Sequence, residues 1–217
     1  MGSQTILDLI SSTIVFGLLL LIALRLNGGI MENMQAFRED IIVQENLVAL
    51  TQLLEYDLRK IAYCENVLVI SSPTLAIRYA DTSRIVFWTD FPKVLIDGMY
   101  VGDGILDSIT YFVGPTSELA VTPNPRDRLL YRVENNKTPV GVNVGVTTFK
   151  FEYLNSMRQL LTTPVANCQL IQYLKITVQT EHPVRWTNFY NTATFDTVYQ
   201  SAYWRQVRIV AKNFNNR

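Results

Sequence analysis

One histidine and two cysteines among 217 residues leave little for the commonest catalytic and metal chemistries. The histidine, His182 in "TEHPVRW", stands beside Pro183 in what reads as a loop. With a single His and only Cys64 and Cys168, the usual histidine-containing or four-cysteine zinc sets have too few ligands. No G-x-S-x-G, phosphate loop or dinucleotide fingerprint occurs. Charge of one sign is not in excess either: Lys+Arg and Asp+Glu both number 19, which points away from nucleic acid and from an acidic solvating tail. No catalytic motif singles out a residue, so an enzyme is not expected.

What the chain does have is an apolar run near its start, "SQTILDLISSTIVFGLLLLIALRLN". Residues 9–24 carry no charge, and the stretch from Ile6 to Leu24 spans about 28 Å as a helix, close to the roughly 30 Å of a bilayer core. A cleaved secretory signal is the main competitor, but such signals carry a basic leader and a small-residue site after the apolar core, where this chain has Arg25. One acid, Asp8, lies in this run. An ionised carboxylate in hydrocarbon costs roughly 2.5–3.5 kcal/mol even on the lenient insertion scale, so a partner is expected.

Beyond "NGG" the apolar pattern continues with Ile30, Met34, Phe37, Ile41, Val48, Leu54, Leu58 and Ile61, mostly three or four residues apart with charged and amide residues between them. That spacing predicts an amphipathic helix over 30–63. Gly28 and Gly29 together cost about 2 kcal/mol relative to alanines and are expected to mark a kink or a locally melted turn between the two halves.

After residue 63 the character changes. Runs rich in Val, Ile, Tyr and Phe occur at 66–71, 75–80, 84–90, 108–114, 128–134, 146–154, 170–181 and 204–214, separated by "SSP", "ADTS", "DGMYVGDG", "TPNPRD" and "ENNKTP". Phe149, Phe151 and Tyr153 alternate with polar residues, as on a sheet with one buried face. The expected fold class is α+β, a long N-terminal helix whose second half packs on an antiparallel sheet formed by residues 64–217.

The apolar helix with its single acid resembles the type IV pilin-like superfamily, which includes pilins and the pseudopilins of type II secretion. In that family a short leader ends at a small residue and the mature chain opens on a motif like F-T-L-I-E. "SQTILDL" matches with the cut between Ser3 and Gln4, Thr5 at the threonine place and Asp8 at the glutamate place; Ser3, Gln4 and Asp8 depart from the usual Gly, Phe and Glu. "LVALTQLLEYDLRKIAYC", "VTTFKFEYLN", "LIQYLKITVQTE" and "YWRQVRIVAKNF" are similar, more loosely, to segments of J-type minor pseudopilins and W-type minor pilins. The resemblance implies residues 1–3 as leader, 4–29 as membrane and filament-core helix, and 64–217 as the head. It implies cleavage by a prepilin peptidase with methylation of the new amine, residence in the inner membrane with a periplasmic domain, and then an extracellular filament. Partners would be other copies or sister subunits through the N-terminal helix, where Asp8 meets a neighbour's α-amino group. A signal-anchored periplasmic or extracellular binding domain that does not polymerise is the alternative.

Two features stay open. In an oxidising compartment Cys64 and Cys168 can bridge, closing a loop of about 100 residues, or remain two buried thiols. In "DGMYVGDGILD", Asp97, Asp103 and Asp107 lie among glycines. Such loops can bind Ca²⁺, as in some pseudopilins, but the spacing does not fit an EF-hand, and turns with Asp bonded to local backbone account for it equally. No other cofactor is expected.

Overall fold

The computed structural model describes residues 2–66, 68–70, 75–96, 98–135, 137–183 and 203–210. The chain divides into two compact units, Met1–Ile41 and Ile42–Arg217, with the division inside one helix, α1, Gly2–Leu58.

The first unit is helical, and its large apolar side chains, Ile6 through Leu26 and on to Met34 and Phe37, are exposed. It belongs to the one helix described that is long and apolar enough to cross a membrane. Three of its hydroxyls bond within the helix: Ser11 donates to the Leu7 carbonyl at 2.9 Å, Ser12 to Leu9 at 2.9 Å, and Thr13 to Ile10 at 2.8 Å. A hydroxyl so bonded needs nothing from water, which suits an apolar surrounding. Helix runs unbroken through Gly28 and Gly29, so the glycine pair is not a melted turn; a Cβ at either would meet open space.

In the second unit α1 buries Val43, Leu47, Leu50, Leu54 and Leu58, spaced four, three, four and four residues apart. The packed stripe therefore starts at Val43 rather than at Ile30. Ile41 and Val48, expected on it, are 38% and 45% exposed. The helix also stops at Leu58 instead of running to residue 63. Lys60 and Ile61 donate to Asp57 and Leu58, three residues back, and Ala62 takes a φ of 65° while its N–H bonds the Trp88 carbonyl at 3.1 Å. A left-handed residue ends the helix as a C′ residue would, and the bond to a strand fixes its exit.

The strands are β1 (Ile77–Ala80), β2 (Arg84–Thr89), β3 (Pro92–Ile96), β4 (Met99–Gly102), β5 (Asp107–Val113), β6 (Arg128–Glu134), β7 (Val140–Leu154), β8 (Tyr173–Thr180) and β9 (Tyr203–Val210). Seven form an antiparallel sheet in the order β1-β2-β5-β6-β7-β8-β9, and β3 and β4 make a separate hairpin between β2 and β5. Period-two alternation sends Ile85 and Phe87, Ile109 and Tyr111, Phe149, Phe151 and Tyr153, and Leu174, Ile176 and Val178 into the core that the α1 stripe covers. The expected α+β architecture is the one found. Differences are local: residues 68–70, expected in a strand, form turn and irregular chain, and "MYVG", expected as turn, is β4. In β7, Gly145 has a φ of 71°, and a Cβ there would fall 2.3 Å from the Glu181 carbonyl oxygen, so this position requires glycine.

The stripe gives a direct expectation. Leu54→Ala should cost about 2–5 kcal/mol by emptying a filled site, whereas Val48→Ala, on the exposed side, should stay within about 0.5 kcal/mol. Denaturant unfolding of the full chain in detergent measures both; equal losses would place the packed stripe elsewhere.

Candidate functional site

Gln4 and Asp8 are exposed and lie one helical turn apart, about 6 Å along the axis. Ser3 is helical, with its side chain outside the described residues. Unlike the serines and threonine that follow, Asp8 cannot satisfy itself on carbonyls, because an ionised carboxylate only accepts. Among the described residues no Lys or Arg pairs with it. Chemically, the position calls for a cationic donor.

A second carboxylate, Asp57 near the end of α1, is 1% exposed and lies against the sheet. Its Oδ2 accepts the Tyr111 hydroxyl and the Arg132 Nε–H, the latter at 2.6 Å. Arg132 also donates to Glu134 at 2.6 Å, and Lys137 to Glu134 at 2.7 Å. Burial and the Asp57 charge push the Tyr111 phenol well above its usual range. Burial opposes the Arg132 charge, but the bonds to Asp57 and Glu134 outweigh it and hold the guanidinium more firmly protonated. The Lys137 and Arg132 bonds in turn lower Glu134. One charge from the helix is thus neutralised by one from the sheet.

The acidic loop forms a third cluster with Asp90, which sequence reasoning missed. Asp97 lies outside the described residues. Asp90, Asp103 and Asp107 each offer an oxygen within 4.8 Å of the others, close enough to share a cation. Asp90, fully buried, accepts the backbone N–H groups of Glu65 (3.1 Å), Asp103 (3.1 Å) and Gly104 (2.9 Å). Asp107 accepts from Phe91 N–H at 3.1 Å, Asn135 Nδ2 at 2.8 Å and the Lys93 ammonium at 2.8 Å, and Lys93 reaches Asp103 at 3.4 Å. Burial tends to raise Asp107, but Asn135, Lys93 and Phe91 together bring it below the usual carboxylate range; the Asp107 bond raises Lys93. Ca²⁺ takes six to eight oxygens, and here the described carboxylates are engaged by N–H donors and by Lys93. Gly102 is obligatory because a Cβ would overlap the Asp90 carboxylate, 2.2 Å away.

Cys64 is buried and Cys168 half-buried, each with its sulfur as a thiol. The buried Cys64 donates to Asp90 Oδ2 at 3.8 Å, and Cys168 to the Val165 carbonyl at 3.7 Å. Both side chains belong to the helix–sheet core, and burial pushes the Cys168 thiol up. A fourth polar knot joins Glu181 to Arg126 (2.7 Å), Asn124 (2.9 Å) and Gln179 (3.1 Å). Beside it Asp127 is 1% exposed, and burial, then the Glu181 charge, raise its carboxyl against the opposing Thr122 hydroxyl.

The second unit also holds an apolar groove of about 380 Å³ between α1 and the start of β7, lined by Leu50, Leu53, Leu130, Arg132, Val140 and Val142 among others. None of these arrangements assembles a nucleophile with a base and an oxyanion hole.

No family model matches the chain, and no curated protein matches its sequence. Among solved structures it is similar to a type IV-like pilin from Thermus thermophilus, at 13% identity and a TM-score of 0.41, over 79% of this chain and 97% of that one.

Two of the polar clusters yield expectations. Arg132→Met leaves Asp57 buried without its counter-charge and should cost about 3 kcal/mol, read by denaturant unfolding; a loss no larger than that of an exposed ion pair would refute the seam. Because Asp107 is lowered in the folded state, its contribution is present above the ordinary carboxylate pKa of about 3.9 and disappears as the pH falls further. Asp107→Asn should therefore lower the melting temperature at neutral pH and flatten its fall below about pH 4. An unchanged acid limb would show that another group governs it.

Proposed function

We propose that the chain is a structural subunit, major or minor, of a type IV pilus-like or pseudopilus-like extracellular filament. What supports this reading best is Asp8, four residues after Gln4 and the one charged residue among residues 4–24, a stretch of α1 apolar and long enough to cross a bilayer. The subunit is held in the inner membrane by residues 6–24 with its head in the periplasm. A prepilin peptidase cuts between Ser3 and Gln4, and the new amine at Gln4 is methylated.

Assembly exchanges lipid for the helices of other copies or sister subunits. Lipid tails and helix surfaces are both apolar, so side-chain packing and hydrogen bonds, not water exclusion, decide this step. Asp8 then meets the α-amino group of a neighbour. A buried charge is tolerable only when paired, so the ion pair selects one axial register over those that leave the acid alone. The role is mechanical, not catalytic, and the head forms the surface or tip of the filament.

Protein from its native host should have an intact mass matching a chain that begins at Gln4 with one added methyl group, and Asp8→Ala should abolish filament assembly while the head still folds. An intact Met1 together with unchanged behaviour of the variant would instead identify a signal-anchored binding domain that never polymerises.

A further inference from the structure

A polar pocket of about 260 Å³ opens where the connection between β5 and β6 meets the strands. Thr116 and Arg126 come from that connection, Arg128 from β6, Thr147 from β7, Gln179 from β8 and Glu181 from just after it. Among the described residues two arginines are half-buried, Arg128 and Arg132. Arg132 has two carboxylates, Asp57 and Glu134, whereas Arg128 takes part in no described ion pair. A guanidinium partly withdrawn from water without a counter-charge is unfavourable. The pocket is where a counter-charge can reach it.

Other polar groups of the wall are already matched to one another. Glu181 accepts from Arg126, Asn124 and Gln179, and the Thr148 hydroxyl donates to Gln179 Oε1 at 3.0 Å. The buried Asp127 forms no described ion pair with Arg128. Thr147 is different, because its buried hydroxyl oxygen has no hydrogen-bond partner. What the wall leaves over is therefore a cation and a hydroxyl, a surplus of donors over acceptors.

We propose that this pocket binds the carboxylate of a small ligand, with Arg128 as its counter-charge. An ionised carboxylate only accepts hydrogen bonds, and its two oxygens match the fork of a guanidinium. Thr147, on the same wall, supplies a further donor after a rotation about χ1. One unmatched positive charge suits a monoanion, because a phosphate dianion would bring a second negative charge against Glu181. The volume lies just below the roughly 300–1,000 Å³ of sites for drug-sized molecules, so the ligand is about the size of an amino acid or of one acidic sugar. A peptide and an acidic sugar both carry such a group, and the test below separates them. The site belongs to the head alone, and the inference depends neither on the filament reading nor on Asp8.

Melting curves of the full chain in detergent, at one ionic strength throughout, test this with four probes: N-acetylglycine, glucuronate, neutral methyl glucoside and inorganic phosphate. At ten times its dissociation constant, N-acetylglycine or glucuronate should raise the melting temperature by about 3–6 °C. The glucoside and phosphate at the same concentration should leave it within about 1 °C of its starting value. A tighter fit to N-acetylglycine assigns the carboxylate to a peptide, and a tighter fit to glucuronate assigns it to a sugar. Arg128→Met should abolish the rise, and Arg128→Lys, which keeps the charge without the fork, should weaken binding about tenfold. Thr147→Val, which keeps the shape and removes the donor, should weaken it about fivefold. Should Arg128→Met fail to fold, the Lys and Val variants decide. The inference is overturned if neither carboxylate raises the melting temperature, if phosphate or the glucoside matches them, or if the rise is the same in the Arg128 and Thr147 variants as in the unmodified chain.

Discussion

Asp57 sets the relation between helix and sheet. An apolar stripe on a helix can slide by a turn along a sheet and still find apolar neighbours, because the hydrophobic effect is not directional. A buried carboxylate cannot slide, since its Oδ2 must meet both the Tyr111 hydroxyl and the Arg132 guanidinium. Leu50, Leu54 and Leu58 contribute the attraction, and Asp57 chooses the register. With that register held, Ala62 leaves α1 opposite Trp88, Asp90 lies beneath the hairpin root, and the start of β7 stands across from Leu50 and Leu53 to form the groove.

Within α1 the two units obey different solvents. From Val43 onward, burial follows one face with polar residues opposite, the arrangement of a helix that meets protein on one side and water on the other. Over residues 9–24 the helix carries no charge, its large apolar side chains are exposed, and the hydroxyls of Ser11, Ser12 and Thr13 turn to the backbone, an arrangement that suits a surrounding without water. A single secondary-structure element thus carries two environmental specifications. The glycine pair lies in the first unit, where its lack of side chains weakens the helix by propensity without breaking it.

How much of this could be read from the sequence depended on whether the signal was local. Alternation over β2, β5 and β8 and the three aromatics of β7 marked their strands because every second residue there turns into the core. The beginning of the packed stripe was illegible: Ile30, Met31, Met34, Phe37, Ile41 and Ile42 supply apolar residues on several helix faces, so a stripe can be drawn through the wrong ones. Gly98, Gly102 and Gly104 disguised β4 as turn, although Gly102 is there because the Asp90 carboxylate leaves no room for a side chain. Asp57 and Arg132 are 75 residues apart and no pattern links them. The acids of the loop were visible, but not Lys93 as their counter-charge, nor Asp90 as a binder of backbone.

The charges of the head and the charge of the helix therefore stand in opposite conditions. Asp57 has Arg132, Glu181 has Arg126, and Asp107 has Lys93, each partner drawn from the same compact unit. These three pairs are closed within the head, and beside them lies a groove of apolar side chains along α1. Asp8 is the reverse case, a lone acid on an apolar surface where a charge is expensive unless another arrives. A cation brought to Asp8 would be held the more strongly the more completely an apolar surrounding excludes water from the pair. A charge so placed can select a position along the helix axis, which the non-directional packing of apolar side chains cannot.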